Sequence, residues 1–139
     1  MNILIDFDGT CVTHEFPYVG KDVGAAQVLR DIVTNGHRLI LFTMRSESCY
    51  LASALNWFKQ NQITLYGVNV NPEQHKFTDS PKAYGDLIID DIALGIQKVP
   101  CRFHRPYVDW KWVAERLLEQ GILTAEQVSR YDFEMQKYL

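Results

Sequence analysis

The residues best suited to chemistry stand in the run Asp6-Phe7-Asp8-Gly9-Thr10. Two carboxylates one residue apart can face the same crevice from an extended chain, and Gly9 permits a turn that residues with a Cβ resist. A second acidic pair, Asp90-Asp91, follows the apolar run Leu87-Ile88-Ile89. Four carboxylates brought together repel one another unless a cation neutralises them. An all-oxygen donor set with no His or Cys cluster beside it favours Mg2+. Thr43-Met44-Arg45 follows Leu39-Ile40-Leu41-Phe42. A hydroxyl and free backbone N–H groups at such a junction suit a phosphate oxygen, and Arg45 is placed to reach a substrate. Lys82, after Ser80-Pro81, is a compact positive charge able to offset a phosphoryl group. These residue types in combination point to phosphoryl chemistry at a metal-charged site.

For the groups to meet, their segments must run parallel and end at one edge of a sheet. Residues 2–6, 38–42, 64–70 and 86–90 read as four strands, the first two as continuous apolar runs. Residues 22–35 read as a helix with Asp22 as N-cap, an apolar face of Ala25, Val28, Leu29, Ile32 and Val33, and the stop signal Asn35-Gly36. Ser46 is placed to cap a second helix over 47–60, with Leu51, Leu55 and Phe58 on one stripe. The β-α-β-α-β order implies an α/β fold with a parallel, Rossmann-like sheet covered by helices, and ligands at the carboxyl ends of its strands. Residues 107–138 read as a helical hairpin packed on an α/β core of residues 1–100. Its first helix carries Trp110, Val113, Ala114, Leu117 and Leu118 and stops at Gly121; its second starts at a Thr124/Gln127 capping box with Val128, Tyr131, Met135 and Tyr138 on one face. The alternative is that this hairpin forms a homodimer interface.

The arrangement resembles the haloacid dehalogenase (HAD) superfamily over about residues 2–95. The apolar strand with Asp6-x-Asp8-Gly9-Thr10 matches its first motif, Leu41-Phe42-Thr43 its second, Lys82 its third and Ile88-Ile89-Asp90-Asp91 its fourth, in family order. The resemblance implies a three-layer α/β/α sandwich and Mg2+-dependent hydrolysis of phosphomonoesters. It implies Asp6 as the nucleophile, forming an aspartyl phosphate, and Asp8 as the acid that protonates the leaving group and then activates water. It implies Mg2+ held by Asp6, the Asp8 backbone carbonyl and the Asp90-Asp91 pair, with Asp91 favoured as the direct ligand. Gly9, Thr10, Thr43, Met44, Arg45 and Lys82 would bind the phosphorylated substrate. Only 32 residues separate Thr10 from Thr43 and 38 separate Thr43 from Lys82. Neither gap holds a cap domain, so the chain is similar to capless members, including small uncharacterised bacterial and phage proteins of the family. A flap over residues 11–21, with Thr13–Gly20 at its tip, is placed to cover the site.

Plainer readings stand beside these. A calcium loop is disfavoured by the strand before Asp6 and the missing downstream glutamate. Lys76 competes with Lys82, and Arg45 serves equally well in an ion pair. His14 reads as structural or solvated, and His37, His75 and His104 lack ligand spacing. Cys11 reads as a small buried residue, and Trp110 and Trp112 as packing residues. A receiver-type phosphoacceptor places its aspartate on a middle strand of the chain order, whereas Asp6 lies on the first. A non-catalytic phosphate-binding or regulatory module remains the alternative to an enzyme. The 139 residues suit a single domain. Three scattered cysteines, with no C-x-x-C pair, favour a reducing cytoplasm. No signal peptide or membrane span is expected. The net charge of −3 argues against a broad nucleic-acid surface. Setting aside Asp6, Asp8, Asp90 and Asp91 leaves 13 acids against 14 bases, so the excess acidity is that one group.

Overall fold

The computed structural model describes all of residues 1–139. Its frame is a sheet of four parallel strands, β1 (Asn2–Ile5), β2 (Arg38–Leu41), β3 (Gly67–Val68) and β4 (Leu87–Ile89), in spatial order β3-β2-β1-β4. The chain is therefore a mixed α/β fold with an all-parallel sheet. Helix α1 (Ala25–Thr34) links β1 to β2, and α2 (Ser48–Gln60) links β2 to β3. The third and fourth strands are shorter than expected from 64–70 and 86–90, because both lie at sheet edges and pair on one side only.

Topology decides what covers each face. From β1 to β2 to β3 the chain steps in one direction, so right-handed crossovers put α1 and α2 on the same face. There Ile3, Ile5, Leu39, Leu41 and Ile89 join Val28, Leu29, Ile32, Trp57 and Phe58 in one buried core. The connection from β3 to β4 runs back past β2 and β1, so handedness sends it over the opposite face. That segment, residues 69–86, holds Asn71, Pro72, Asp79 and Pro81 and forms only one 3-10 turn, Gln74–Lys76. It covers Leu4 and Ile40 with Ala83 and leaves Ile88 exposed. The expected helical third layer is thus replaced by a loop, since the segment's turn-forming residues resist a helix.

Helix starts differ slightly from the sequence reading. The N-cap of α1 is Gly24 and not Asp22, but Asp22 Oδ1 still accepts from the N–H groups of Gly24, Ala25 and Ala26 at the start of the helix. Helix α2 starts at Ser48 with Glu47 before it and no side-chain cap, so Ser46 does not cap it. Its buried face is Ala54, Trp57 and Phe58, with Leu51 and Leu55 only partly buried.

The tail begins with a strand pair that the sequence reading missed. β5 (Lys98–Val99) and β6 (Tyr107–Val108) form an antiparallel ribbon. Next comes α3 (Trp110–Glu119), capped by the Asp109 side chain. Then α4 (Ala125–Arg130) follows, opened by the Thr124/Gln127 capping box. Helix α4 stops at Arg130, so Val128, Tyr131, Met135 and Tyr138 do not share one helical face; Glu134–Tyr138 is a separate 3-10 turn. The expected two-helix hairpin is a long helix, a short helix and a strap. The strap is tied to α1: the Gln27 amide donates to the Asp132 carbonyl, and the Tyr131 hydroxyl donates to Asp31. Tyr107, Val108, Trp110, Val113, Ala114, Leu117, Ile122 and Leu123 all belong to the same 26-residue core as β1 and α1.

Candidate functional site

The sheet order places the switch in chain direction between β1 and β4, where ligands of open α/β sheets bind. Register does the rest. Ile5 pairs with Ile89 and Leu41, and Leu41 pairs with Val68, so the next residues, Asp6, Asp90, Phe42 and Asn69, leave the sheet at one level. A cleft of about 700 Å³ opens there, and Asp6, Asp8, Thr43, Asn69, Asp90 and Asp91 are among its lining residues.

Carboxylate oxygens of Asp6, Asp90 and Asp91 lie within 4.8 Å of one another. Thr10, fully buried, links two of these residues. Its hydroxyl donates to Asp6 Oδ2 at 2.6 Å and accepts from the Asp91 N–H at 3.0 Å. Gly9 turns the chain at φ 81°, and a Cβ there would stand 2.7 Å from Asp91 Oδ2. Neither Gly9 nor Thr10, the two loop residues expected at the substrate, is among the residues lining the cleft: the Thr10 hydroxyl is engaged by the cluster, and the Gly9 N–H donates to the Val12 carbonyl. The tail holds the same loop from behind. The Val108 N–H donates to the Gly9 carbonyl at 3.0 Å, and Trp110 Nε1–H donates to the Thr10 carbonyl at 2.6 Å.

Burial pushes the Asp6 carboxyl up to about 8; the Thr10 hydroxyl opposes this, and the charges of Asp90 and Asp91 add to it. Asp90 is raised too, first by burial and then, against the Ile92 N–H that it accepts, by Asp91. Beneath them the buried Cys11 thiol donates to the Asp6 carbonyl, and burial lifts its ionisation well above the ordinary thiol range. Cys11 is packing, as expected.

Asp8 does not join the other three. Its two oxygens accept from Arg45 Nε (2.8 Å) and Nη2 (2.7 Å), a bidentate pair. Arg45 is 2% exposed. Its remaining N–H groups donate to the carbonyls of Pro17, Tyr18 and Tyr50, and its guanidinium lies against the rings of Phe7 and Phe16. All five donors are engaged within the chain, so Arg45 organises the flap rather than reaching a substrate. The flap neck is narrow: Thr13 N–H donates to the Lys21 carbonyl, and a Cβ on Gly20 would overlap the Thr13 carbonyl.

The Thr43 step is present but less open than expected. Its N–H donates to Asn69 Oδ1, and its hydroxyl oxygen accepts from the Arg45 N–H. Met44 N–H makes no hydrogen bond within the chain, and its side chain is 95% exposed on the cleft rim. Lys82 is not brought to the cleft. It sits exposed on the loop that covers the opposite sheet face, its N–H bonded to Ser80 Oγ and its carbonyl to the Gln74 amide. Lys76 pairs with Glu73 and is absent from the cleft as well.

Residues that the sequence reading left out or set aside line the cleft: Asn69, Ile92, Phe16, Phe42, His14 and Arg105. Asn69 was detectable, since it follows the third strand at the carboxyl edge. Arg105 was not, because nothing in its sequence neighbourhood announces that a tail loop returns to the strand ends.

No family model matches the chain, and no curated protein matches it. Among solved structures it is similar to a conserved protein from Bacteroides thetaiotaomicron, with 29% identity and a TM-score of 0.67 over 92% of this chain and 96% of that one.

Proposed function

We propose that the chain is a Mg2+-dependent phosphomonoester hydrolase of the HAD type, a capless member working through an aspartyl phosphate on Asp6. One observation carries this reading: three carboxylates converge at the switch point of a parallel sheet, on the floor of an open cleft. The donor set fits a hard divalent cation. It is all oxygen, and burial, with the charges of Asp90 and Asp91 adding to it, holds Asp6 near 8 when no cation offsets them. Asp6, Asp90 and Asp91 would hold the ion, which when bound supplies charge neutralisation for the cluster and the incoming phosphate.

The chain's own residues do the following. The Thr10 hydroxyl fixes Asp6 Oδ2, leaving Oδ1 as the attacking atom. Attack forms an Asp6 O–P bond as the ester P–O bond breaks. Water then attacks phosphorus, breaks the Asp6 O–P bond and releases inorganic phosphate. Thr43 and the Met44 N–H supply donors on the cleft wall. The leaving oxygen takes a proton from Asp8 only after Arg45 loosens its grip, since both Asp8 oxygens accept from it. Three free cysteines suit the cytoplasm.

The same ion pair, together with the absence of Lys82 from the cleft lining, favours a second reading: a module that binds phosphate without turning it over. Turnover of an aryl phosphate separates the two. Hydrolysis that requires Mg2+, stops with EDTA and is lost in Asp6→Asn supports the enzyme. Phosphate binding with no turnover across a broad ester panel supports the module.

A further inference from the structure

We infer that Arg105, with His14 beside it, is the phosphate-binding cation of this cleft, in the place that the sequence pattern assigned to Lys82. The inference rests on the reading of the cleft as a phosphoryl site. A floor of three carboxylates repels a phosphate monoester even with a divalent ion bound, so the walls must supply positive charge. Only two arginines and no lysine line the cleft, and Arg45 has all five donors engaged. Arg105 is different. It is exposed, makes no ion pair with any carboxylate, and meets only His14, with Nη1 and Nε2 3.4 Å apart. Its guanidinium therefore keeps a donor fork suited to two oxygens of a tetrahedral anion.

Its position is built. Arg105 lies two residues before Tyr107-Val108, both fully buried, and the Val108 N–H is bonded to the Gly9 carbonyl of the loop that carries Asp6 and Asp8. His14 arrives from the flap, one residue after the buried Thr13. A second contact between the same two segments, His104 to Glu15 at 3.6 Å, holds them together. Two segments ninety residues apart in the chain thus set one cation and one imidazole on the rim of the cleft, the kind of convergence that packing of an exposed loop alone does not require.

The test is calorimetric titration of inorganic phosphate into the Mg2+-loaded protein, with KM and kcat for an aryl phosphate alongside. Arg105→Ala is expected to weaken phosphate binding by roughly tenfold or more, as for loss of a charged hydrogen-bonding pair. The same change should raise KM more than it lowers kcat, and Arg105→Lys should restore part of the affinity. Lys82→Ala is expected to stay within about twofold, as a surface change does. Phosphate affinity unchanged in Arg105→Ala, or lost in Lys82→Ala, would overturn the inference while leaving the phosphoryl reading standing. A wild-type protein that neither binds phosphate nor hydrolyses the ester would overturn both.

Discussion

Thr10 is the residue on which the geometry of the cluster depends, because one hydroxyl orients Asp6 and receives the Asp91 N–H. Thr10→Val keeps the shape and removes both bonds. It should weaken Mg2+ binding by about 10–100-fold, as loss of a supporting hydrogen bond behind metal ligands does; a metal titration followed by calorimetry reads this directly. Gly9→Ala should be at least as harmful, since it meets both a positive φ and the Asp91 carboxylate. Asp6 makes the metal-free chain sensitive to pH. Its folded value is raised to about 8, while the unfolded chain holds the ordinary carboxylate value of 3.8. As pH rises from about 4 to 8, the unfolded state has lost a proton that the folded state keeps, so stability falls across that window. Asp6→Asn should flatten the fall and, at pH 8, raise stability by about 1–3 kcal/mol, seen as an upward shift in Tm. A wild-type Tm that instead climbs between pH 5 and 8 without metal would show that Asp6 is not the raised group.

At the scale of elements, the flap and the tail each reach the site through a few bonds. Arg45 joins the flap, the start of α2 and Asp8. Arg45→Met leaves the Asp8 carboxylate without its partner and frees the Pro17 and Tyr18 carbonyls. A loss of about 3–5 kcal/mol is expected, as for a broken buried pair, together with faster proteolytic cleavage within Thr13–Gly20. Trp110→Phe removes the donor to the Thr10 carbonyl together with part of a fully buried ring. It should lower stability by about 1–3 kcal/mol and reduce turnover, as the loop bearing Asp6 loosens. Both inner strands, both crossover helices and the Thr124/Gln127 box were legible, because apolar period and capping chemistry are local. Asp6, Asp90 and Asp91 were legible for the same reason: each follows a strand. What was hidden depends on three dimensions. Asp8 and Arg45 are 37 residues apart, and nothing local says that they pair. Lys82 satisfied a spacing, yet its segment crosses the other face of the sheet, a consequence of strand order. The β5–β6 ribbon is two residues long on each side and gives no period to read.

Over the whole molecule, the tail is part of the fold and not an appendage, since eight of its side chains complete the core of β1 and α1. A chain ending before β6 should therefore fail to give a cooperative melting transition. No helix is long and apolar enough to cross a membrane. The formal charge of −3 is concentrated less simply than the sequence suggested: three of the four site carboxylates face one another, and the fourth is neutralised internally by Arg45. Added Mg2+ should raise Tm more at pH 8 than at pH 5, because only the ionised cluster gains from the cation. The covalent role of Asp6 is open to the most direct check. Mix the Mg2+-loaded protein with an aryl phosphate, quench in acid, reduce with borohydride and map the peptides by mass spectrometry. Homoserine at position 6 is the expected product, since reduction of an aspartyl phosphate converts that side chain to an alcohol; steady turnover with position 6 recovered only as aspartate would contradict the mechanism.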